Sequence, residues 1–365
     1  MADKPKDLFL YEGISHFCFN KDFTQCAVSK KDNRVYIYQV PDIKDTNKWV
    51  LLHTLKAHFL YISGLDWSAA TNRIVTCSFD KTCFIWAFIQ DKWVGTSLTA
   101  TTKLSYLFVY WNNRGDKFIT GTSDKKLFMG YYSQQADWWT GRNIKGHKSS
   151  VVCARIDPSS LYCLSGSTDM KVMVTSVYEP TIDDQFLAPG AQPQPFGTEI
   201  MNVDCGSWIN SVCWNTTGSF GVAAAQDANI YIIDYINNSA QSIPLAHGAV
   251  SMVVPCGENS FYAVGFDREI YLYANEGGAW TMKKKITGTN EKAAGASSSM
   301  GGLKGGIAER MKKFEKAGVN TKTSIIYTAQ TTNKNLHQSP LTSFVVNGNK
   351  IITSDIAGFV KYWDV

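Results

Sequence analysis

Seven large apolar residues in this chain are each followed, thirteen positions later, by a turn residue, and six of those seven turn residues are aspartates. The pairs are Phe19/Asp32, Trp67/Asp80, Trp111/Asp124, Ile156/Asp169, Trp214/Asp227, Val254/Asp267 and Phe344/Ala357. Successive pairs are separated by 48, 44, 45, 58, 40 and 90 residues. A period of about 40–45 residues is typical of a propeller blade. The last separation is twice too long, so it contains one blade and an insertion.

The second unit shows how a single blade is recognised. Residues 58–67 and 73–78 are strand-like runs on either side of a polar turn, and a third run, 82–86, follows the tight turn at Asp80. Asp suits that turn because its side chain can bond to its own backbone. Short strands at this spacing indicate an antiparallel sheet in each unit. The sequence therefore predicts an all-β protein, a seven-bladed WD40 β-propeller that spans residues 1–365 as one domain.

Histidines recur near the start of four units. They lie 20 or 22 positions before the turn residue: His58, His147, His247 and His337. Metal ligands or general bases would have to converge, whereas these residues fall one to a blade. We therefore expect each imidazole to bond to the turn Asp or to a strand hydroxyl of its own blade.

The sequence stops directly after a third strand that ends in Trp363 and Asp364, and nothing after it can supply an outer strand for blade seven. An unpaired sheet edge at that place would be exposed. We expect residues 1–12, through the apolar run 8–11, to pair with blade seven and close the ring.

The overlong step contains an inserted loop, which we assign to residues 281–323. Between Thr281 and Lys322 there are ten Lys or Arg residues and three Glu, a net charge of +7, so the rest of the chain carries about −2 of the formal total of +5. A low-complexity stretch precedes a helix predicted near 307–317, in which Ile307, Met311 and Phe314 share one face. This apolar face can pack against its own propeller or against a groove on another protein, and the pattern does not decide between them.

The composition narrows the class of protein. Nine cysteines are scattered without a C-x-x-C pair, which is typical of buried thiols in a reducing compartment such as the cytoplasm. No apolar run reaches 18 residues, so we expect no membrane insertion. No phosphate loop, nucleophile elbow or zinc-protease motif is present, so we expect no enzyme, cofactor or metal site. A nucleic-acid interface is disfavoured because Phe314 is the sole aromatic residue among the basic residues of the insertion.

Several segments resemble a known family, subunit 1 of the actin-related protein 2/3 complex. They are the runs 72–77, 137–139, 195–197 and 306–310 with Phe314, and the pair Leu336-His337. The run in the insertion is the most specific of these because other propellers lack it. Ala357, where a turn Asp is usual, departs from the pattern.

The resemblance implies a non-catalytic scaffold subunit that supports nucleation of branched actin filaments in the cytoplasmic actin cytoskeleton. It implies as partners the other subunits of the complex, especially subunits 4 and 5, the actin filament and nucleation-promoting factors. The insertion would contact actin or the mother filament through Ile307, Arg310, Met311, Lys312, Lys313 and Phe314. The alternative is a WD-repeat adaptor of another assembly, such as a ubiquitin-ligase substrate receptor.

Overall fold

The computed structural model describes residues 8–10, 13–98, 102–286, 337, 339–348 and 350–364. These residues form seven four-stranded antiparallel sheets. Within six of the sheets the strands follow one another in chain order, and the first strands of neighbouring sheets lie side by side. The predicted seven-bladed β-propeller is confirmed.

The strands of blades one to three follow a short N-terminal strand, β1 (Leu8–Phe9). Blade one contains β2 (His16–Phe19), β3 (Gln25–Ser29), β4 (Arg34–Gln39) and β5 (Val50–Lys56). Blade two contains β6 (Ile62–Trp67), β7 (Ile74–Ser78), β8 (Cys83–Ile89) and β9 (Lys92–Ser97). Blade three contains β10 (Tyr106–Trp111), β11 (Lys117–Thr122), β12 (Leu127–Ser133) and β13 (Trp138–Ile144).

The remaining blades repeat the arrangement. Blade four contains β14 (Val151–Ile156), β15 (Tyr162–Ser167), β16 (Lys171–Ser176) and β17 (Glu199–Asp204). Blade five contains β18 (Ile209–Trp214), β19 (Gly221–Ala225), β20 (Asn229–Asp234) and β21 (Ser239–Pro244). Blade six contains β22 (Val250–Pro255), β23 (Ser260–Gly265), β24 (Ile270–Glu276) and β25 (Ala279–Ile286). Blade seven contains β26 (Leu341–Asn347), β27 (Lys350–Asp355) and β28 (Phe359–Asp364).

The hydrophobic core lies between the blades. Val222 and Ile230 of blade five, for example, pack in one buried cluster with Val250 and Phe261 of blade six. Neighbouring blades therefore cover both faces of the inner strands of each sheet. Second strands such as β7 and β11 are buried at every position. This explains why the inner strands read as nearly continuous apolar runs, whereas the outer strands are largely exposed and polar.

The insertion after blade six begins later than the sequence indicates. Residues 281–286, which we assigned to the inserted loop, belong to β25 and pair with β24. This strand is mostly exposed, and two of its three lysines pair with acids of the same blade: Lys283 Nζ lies 2.6 Å from Glu276 and Lys285 Nζ lies 3.0 Å from Glu269. An outer strand that faces water can be rich in lysine. Its amino-acid composition then resembles that of a loop, which explains why the sequence places the start of the insertion too early. The helix predicted near 307–317 lies outside the described residues.

The long connection in blade four folds against blade three. It contains a one-turn helix α1 (Pro180–Asp183) and a 3₁₀ turn at Asp184–Phe186. Asp183 of α1 accepts a hydrogen bond of 2.6 Å from Nζ of Lys117, a fully buried residue of β11. Nζ of Lys117 also donates to the carbonyl oxygens of Ser160 and Val177. The buried ammonium is thus paired and hydrogen-bonded, which is the condition for burying a charge without a large penalty.

The outer strand of blade seven comes from the N-terminus. β1 pairs antiparallel with β28, with Leu8 opposite Val360 and Phe9 opposite Phe359. The backbone N–H of Leu10 donates to the carbonyl of Gly358, and the Leu10 side chain packs against the core between blades seven and one. The two ends of the chain therefore share one sheet.

Deleting residues 1–12 is expected to lower the melting temperature by about 5 °C or more, since it removes the ladder of β1 and the packing of Leu10. Differential scanning calorimetry of the full chain and the deletion variant measures the effect. Deleting residues 1–6 is the control because it leaves β1 intact. Equal melting temperatures for all three proteins would contradict the role assigned to β1.

Candidate functional site

The propeller has two faces with different loops. We call the upper face the one where the first strand of each blade begins and where the turn between the second and third strands lies. On the opposite, lower face lie the turns between first and second strands and between third and fourth strands. The predicted Asp and His residues lie at the upper face, each near the start of a strand.

Blade two contains a complete chain of hydrogen bonds from its third strand to its turn. Trp86 Nε1 donates to Thr76 Oγ1 at 3.0 Å, and Thr76 Oγ1 lies 2.8 Å from His58 Nε2. His58 Nδ1 lies 3.2 Å from Asp80 Oδ2. A carboxylate only accepts, so Nδ1 carries the proton and Nε2 accepts from the threonine hydroxyl. Asp80 also accepts from the backbone N–H of Phe59 at 2.8 Å, which fixes the loop before the first strand.

Blade seven contains the same chain with a displaced acid. His337 Nδ1 lies 2.8 Å from Asp355 Oδ2, and His337 Nε2 lies 2.7 Å from Thr353 Oγ1, which accepts from Trp363 Nε1. Asp355 stands two residues before Ala357, the position at which the spacing rule looks for an acid. The spacing rule therefore does not find the carboxylate of this blade, although Asp355 is fully buried and hydrogen-bonded to His337.

Blade four lacks the tryptophan but keeps the rest. His147 Nδ1 lies 3.0 Å from Asp169 Oδ2, and His147 Nε2 lies 2.9 Å from Ser165 Oγ. Asp169 also accepts from the backbone N–H of Lys148 at 2.7 Å. The acid again joins the turn to the loop that precedes the first strand.

Blades one and six use a tyrosine in place of the histidine. Tyr36 Oη donates to Asp32 Oδ2 at 2.7 Å, and Tyr271 Oη donates to Asp267 Oδ2 at 2.5 Å. Each tyrosine follows its Asp by four residues, a spacing that is visible in the sequence. His247 does not bond to Asp267. Its ring stacks on Tyr271 at 3.7 Å, and its Nε2 contacts the hydroxyl of Tyr273 at 2.8 Å.

The turn acids of blades three and five bond to neither a histidine nor a tyrosine. Asp124 accepts from the hydroxyl of Thr122 and from the backbone N–H of Lys103, the latter at 3.3 Å. Asp227 accepts from the backbone N–H and the side-chain amide of Asn229 and remains exposed. Every turn acid predicted from the sequence is thus a hydrogen-bond acceptor within its own blade.

The pKa values of these groups reflect two opposing effects. Burial acts to raise the pKa of Asp80, but hydrogen bonds from His58, Thr82 and the N–H of Phe59 outweigh it, so the pKa lies well below its usual range. The pKa of Asp355 is lowered in the same way, against burial, chiefly by the hydrogen bond from His337. Burial lowers the pKa of His147 despite the adjacent Asp169. In blade four, a neutral His147 beside an ionised Asp169 fits the distances from its ring nitrogens to Asp169 and Ser165.

A channel with a volume of about 600 Å³ runs between the first strands of all seven blades. Two charged side chains that line the channel, Asp66 and Arg155, contact other residues of the propeller. Asp66 accepts from the backbone N–H groups of Trp67 and Trp111, at 3.0 and 2.8 Å, and the guanidinium of Arg155 lies over the ring of Tyr110. Burial raises the pKa of Asp66, with Arg155 acting in the opposite direction. These contacts tie neighbouring blades together.

A second cleft, of about 810 Å³, opens on the lower face between blades two and three and the long connection of blade four. The guanidinium of Arg73 lies 5.7 Å from the ring centre of Trp139, and that of Arg114 lies 4.4 Å from the ring centre of Phe186. Arg114 also pairs with Asp116 at 2.8 Å. The cleft is therefore lined by aromatic rings and by two arginines, and both arginines contact other residues of its lining.

The predicted actin-contacting residues of the insertion, Ile307, Arg310, Met311, Lys312, Lys313 and Phe314, lie outside the described residues. Within the part of the chain that the structure describes, no three His, Cys, Asp or Glu side chains gather closely enough to hold a metal ion. No helix among the described residues is long and apolar enough to cross a membrane. Eight of the nine cysteine thiols are buried, and the ninth, Cys256, is half-buried.

Comparison with known proteins adds two findings. The family model described as "WD domain, G-beta repeat" matches residues 49–87 and 139–176. These ranges contain much of blades two and four, in each of which a histidine bonds to the acid of its own turn, as His337 does in blade seven.

Curated relatives match nearly the whole chain. The actin-related protein 2/3 complex subunit 1A-B of Xenopus laevis is 28% identical over 369 residues, which cover 98% of this chain and 95% of the relative. Subunit 1B of the same complex from Arabidopsis thaliana is 27% identical, covering 97% and 94%. Subunit 1 from Schizosaccharomyces pombe is 25% identical, covering 76% and 74%. The resemblance to subunit 1 that the sequence motifs predicted is confirmed.

Asp355→Asn is expected to lower the free energy of unfolding at pH 7 by about 2 kcal/mol, because a buried charged acceptor is lost. The folded pKa of Asp355 is depressed, so its stabilisation is present above the unfolded pKa of about 3.9 and is lost as the pH falls through the folded value. The difference between the two proteins should stay constant from about pH 7 to 5 and narrow below about pH 4. Urea unfolding at several pH values measures it.

The matched control for that experiment is Asp22→Asn, at an exposed position on a lower-face turn. This variant should differ from the parent by less than about 0.5 kcal/mol. A pH-independent difference for Asp355→Asn, or an equal loss for the control, would contradict the role assigned to the displaced acid.

Proposed function

Because this chain is similar along nearly its full length to subunit 1 of the actin-related protein 2/3 complex, we propose that it is a non-catalytic scaffold subunit of such a complex. The observation that carries the proposal is the coverage, 97–98% of this chain for relatives that all bear the name of that subunit. The work of the subunit is then to support the nucleation of branched actin filaments in the cytoplasmic actin cytoskeleton. These relatives do not favour the ubiquitin-ligase alternative.

The geometry supports a scaffold. The turn acids and histidines hydrogen-bond within their own blades, and the acid of the channel bonds to the backbone of two blades. Groups used in this way stabilise strand ends and do not converge on a shared point where a substrate could react. A rigid ring with loops on two faces is well suited to hold neighbouring proteins at fixed positions.

The insertion after β25 is proposed as the contact with actin or with the mother filament. Its basic residues suit an acidic partner such as actin, and charge of this kind speeds encounter in a salt-dependent way. Ile307, Met311 and Phe314 would supply the apolar contacts, with Arg310, Lys312 and Lys313 beside them. We further propose subunits 4 and 5 as neighbours of the propeller and nucleation-promoting factors as transient partners.

Affinity purification of the tagged full chain from its native cells tests the scaffold proposal. The expected result is recovery with the other subunits in equal amounts, including two actin-like ATP-binding proteins. The tag should be placed at the N-terminus in one preparation and at the C-terminus in another, because β1 and β28 lie in one sheet. Recovery of the chain alone from both preparations would contradict the proposal.

Met311→Ala combined with Phe314→Ala is expected to lower branch formation several-fold while leaving assembly of the complex intact, because two apolar side chains of the proposed contact are removed. Microscopy of branched filaments measures the effect. Glu309→Ala with Lys316→Ala is the matched control, since both positions lie off the predicted apolar face and the net charge is unchanged. Normal branching by the first variant would refute the role of that face.

A further inference from the structure

The cleft on the lower face has two aromatic walls. One wall is the hairpin of β12 and β13, in which the ring centres of Tyr132 and Trp139 lie 5.7 Å apart. The other wall is the long connection of blade four, which contributes Phe186. Tyr132 is 38% exposed and Phe186 is 56% exposed, so each wall presents a ring to solvent. We call the site lined by Arg73, Tyr131, Tyr132, Trp139 and Phe186 the aromatic cleft.

Buried charges fix the second wall against the first. Asp183 of α1 accepts from the buried ammonium of Lys117 and from the guanidinium of Arg114. The backbone N–H of Glu179 donates to the same carboxylate at 2.7 Å. The side chain of Glu179 accepts from the guanidinium of Arg142, which belongs to β13 in the first wall. A site whose walls are fixed in this way loses little conformational entropy when it binds a partner.

The carboxylates of the aromatic cleft already have cationic partners. Asp116 pairs with Arg114 at 2.8 Å, and Glu179 pairs with Arg142. The charged residues that line the cleft are two arginines, Arg73 and Arg114, and these two acids, so their formal charges balance. Net charge therefore draws neither a strongly acidic nor a strongly basic partner to the cleft.

Several hydrogen-bond donors of the cleft, in contrast, have no acceptor. The guanidinium of Arg73 lies over the ring of Trp139 and makes no hydrogen bond or ion pair with any described residue. The hydroxyl of Tyr131 likewise has no hydrogen-bond partner in the part of the chain that the structure describes. Burial raises the pKa of this hydroxyl, so it keeps its proton. Gln134 and Gln135 add exposed amides. An occupant that supplies acceptors but few donors complements this lining.

Proline residues combine these properties. Proline has no backbone N–H, whereas its carbonyl oxygen accepts hydrogen bonds. A run of prolines forms the extended polyproline II helix, which has no internal hydrogen bonds and so leaves its carbonyls free. Grooves lined by aromatic rings recognise such helices, which are already ordered before binding. The volume of the cleft, about 810 Å³, falls within the range of roughly 300–1,000 Å³ that is common for ligand sites.

We propose that the aromatic cleft binds a proline-rich segment of another polypeptide in the polyproline II conformation. Proline rings of the segment would pack against Tyr132 and Phe186, and its carbonyl oxygens would accept from Arg73 and Tyr131. The site is on the lower face, is distinct from the insertion and does not depend on the assembly proposed above.

An acidic segment would fit the aromatic cleft less well. It could bond to Arg73, but it would also approach the carboxylates of Asp116 and Glu179, which line the same space. Attraction and repulsion of this kind offset each other, so charge adds little affinity. A proline-rich segment brings no charge into the cleft. Its binding should therefore respond little to salt.

Binding of synthetic peptides to the purified full chain tests the proposal. The probe is fluorescein-labelled decaproline, and the matched peptides are a decamer of alternating Gly and Ser and decaglutamate. Fluorescence anisotropy should show decaproline binding at least about tenfold more tightly than either control, with less than about a twofold change in affinity as salt is raised. Equal binding of decaproline and the Gly-Ser peptide, or tighter binding of decaglutamate, would overturn the proposal.

Variants of the chain locate the site. Tyr132→Ser with Phe186→Ser should weaken the binding of decaproline by about tenfold or more, because both exposed rings of the cleft are removed. Phe59→Ser with Trp208→Ser is the matched control, because these aromatic residues are 82% and 59% exposed on the upper face. The control should bind within about twofold of the parent. Full binding by the first variant, or an equal loss in the control, would overturn the proposal.

Single substitutions separate the rings from the hydrogen bonds. Tyr132→Phe keeps the ring and should bind decaproline within about twofold of the parent. Arg73→Leu removes a donor and Phe186→Ser removes one ring, and each should weaken binding by about threefold or more. Thermal melting confirms that each variant is folded. Unchanged binding by both Arg73→Leu and Phe186→Ser would place the peptide outside the cleft and overturn the proposal.

Discussion

The ionised carboxylate at the turn between second and third strands is the interaction on which the upper half of this propeller depends. In blades two and four a single Asp joins three parts of a blade, because it accepts from a buried imidazole, from its own turn and from the loop before the first strand. The hydrogen bonds hold its pKa low against the effect of burial, so the contact persists over the ordinary range of pH. Strand ends that would otherwise fray are fixed in this way.

A second constraint acts at the rim of the ring. The sheet of blade seven takes its outer strand from the opposite end of the chain, through the pairing of β1 with β28. The described pairs cover the start of β28, at Phe359 and Val360, where the edge of that sheet would otherwise be exposed. The hydrogen bonds of the upper loops and the pairing of the two ends of the chain both favour a rigid body. Rigidity of this kind suits a protein that is proposed to hold others in position.

Much of this architecture could be read from the sequence because it rests on spacing. A residue such as Trp67, thirteen positions before Asp80, marks a blade whatever its surroundings. Other features depend on which residues lie close together in the folded protein, and the spacing along the sequence does not give that information. Asp355 replaces the acid expected at position 357, and only the position of His337 shows that it does so. Residues 281–286 have the composition of a basic loop but are an outer strand, since water on one side removes the need for apolar residues. The exposure of Phe59 was equally hidden, because an aromatic residue beside a strand is more often buried.

The central claim is that a constant propeller body positions contacts made by its loops and insertion. The most direct measurement is an electron cryo-microscopy map of the assembled complex on a branched filament. The account predicts a seven-bladed ring unchanged from the one described here, with density for residues 287–336 extending from the end of β25 to the surface of actin. A ring that has opened between blades seven and one, or an insertion that lies back on its own propeller without reaching the filament, would contradict it.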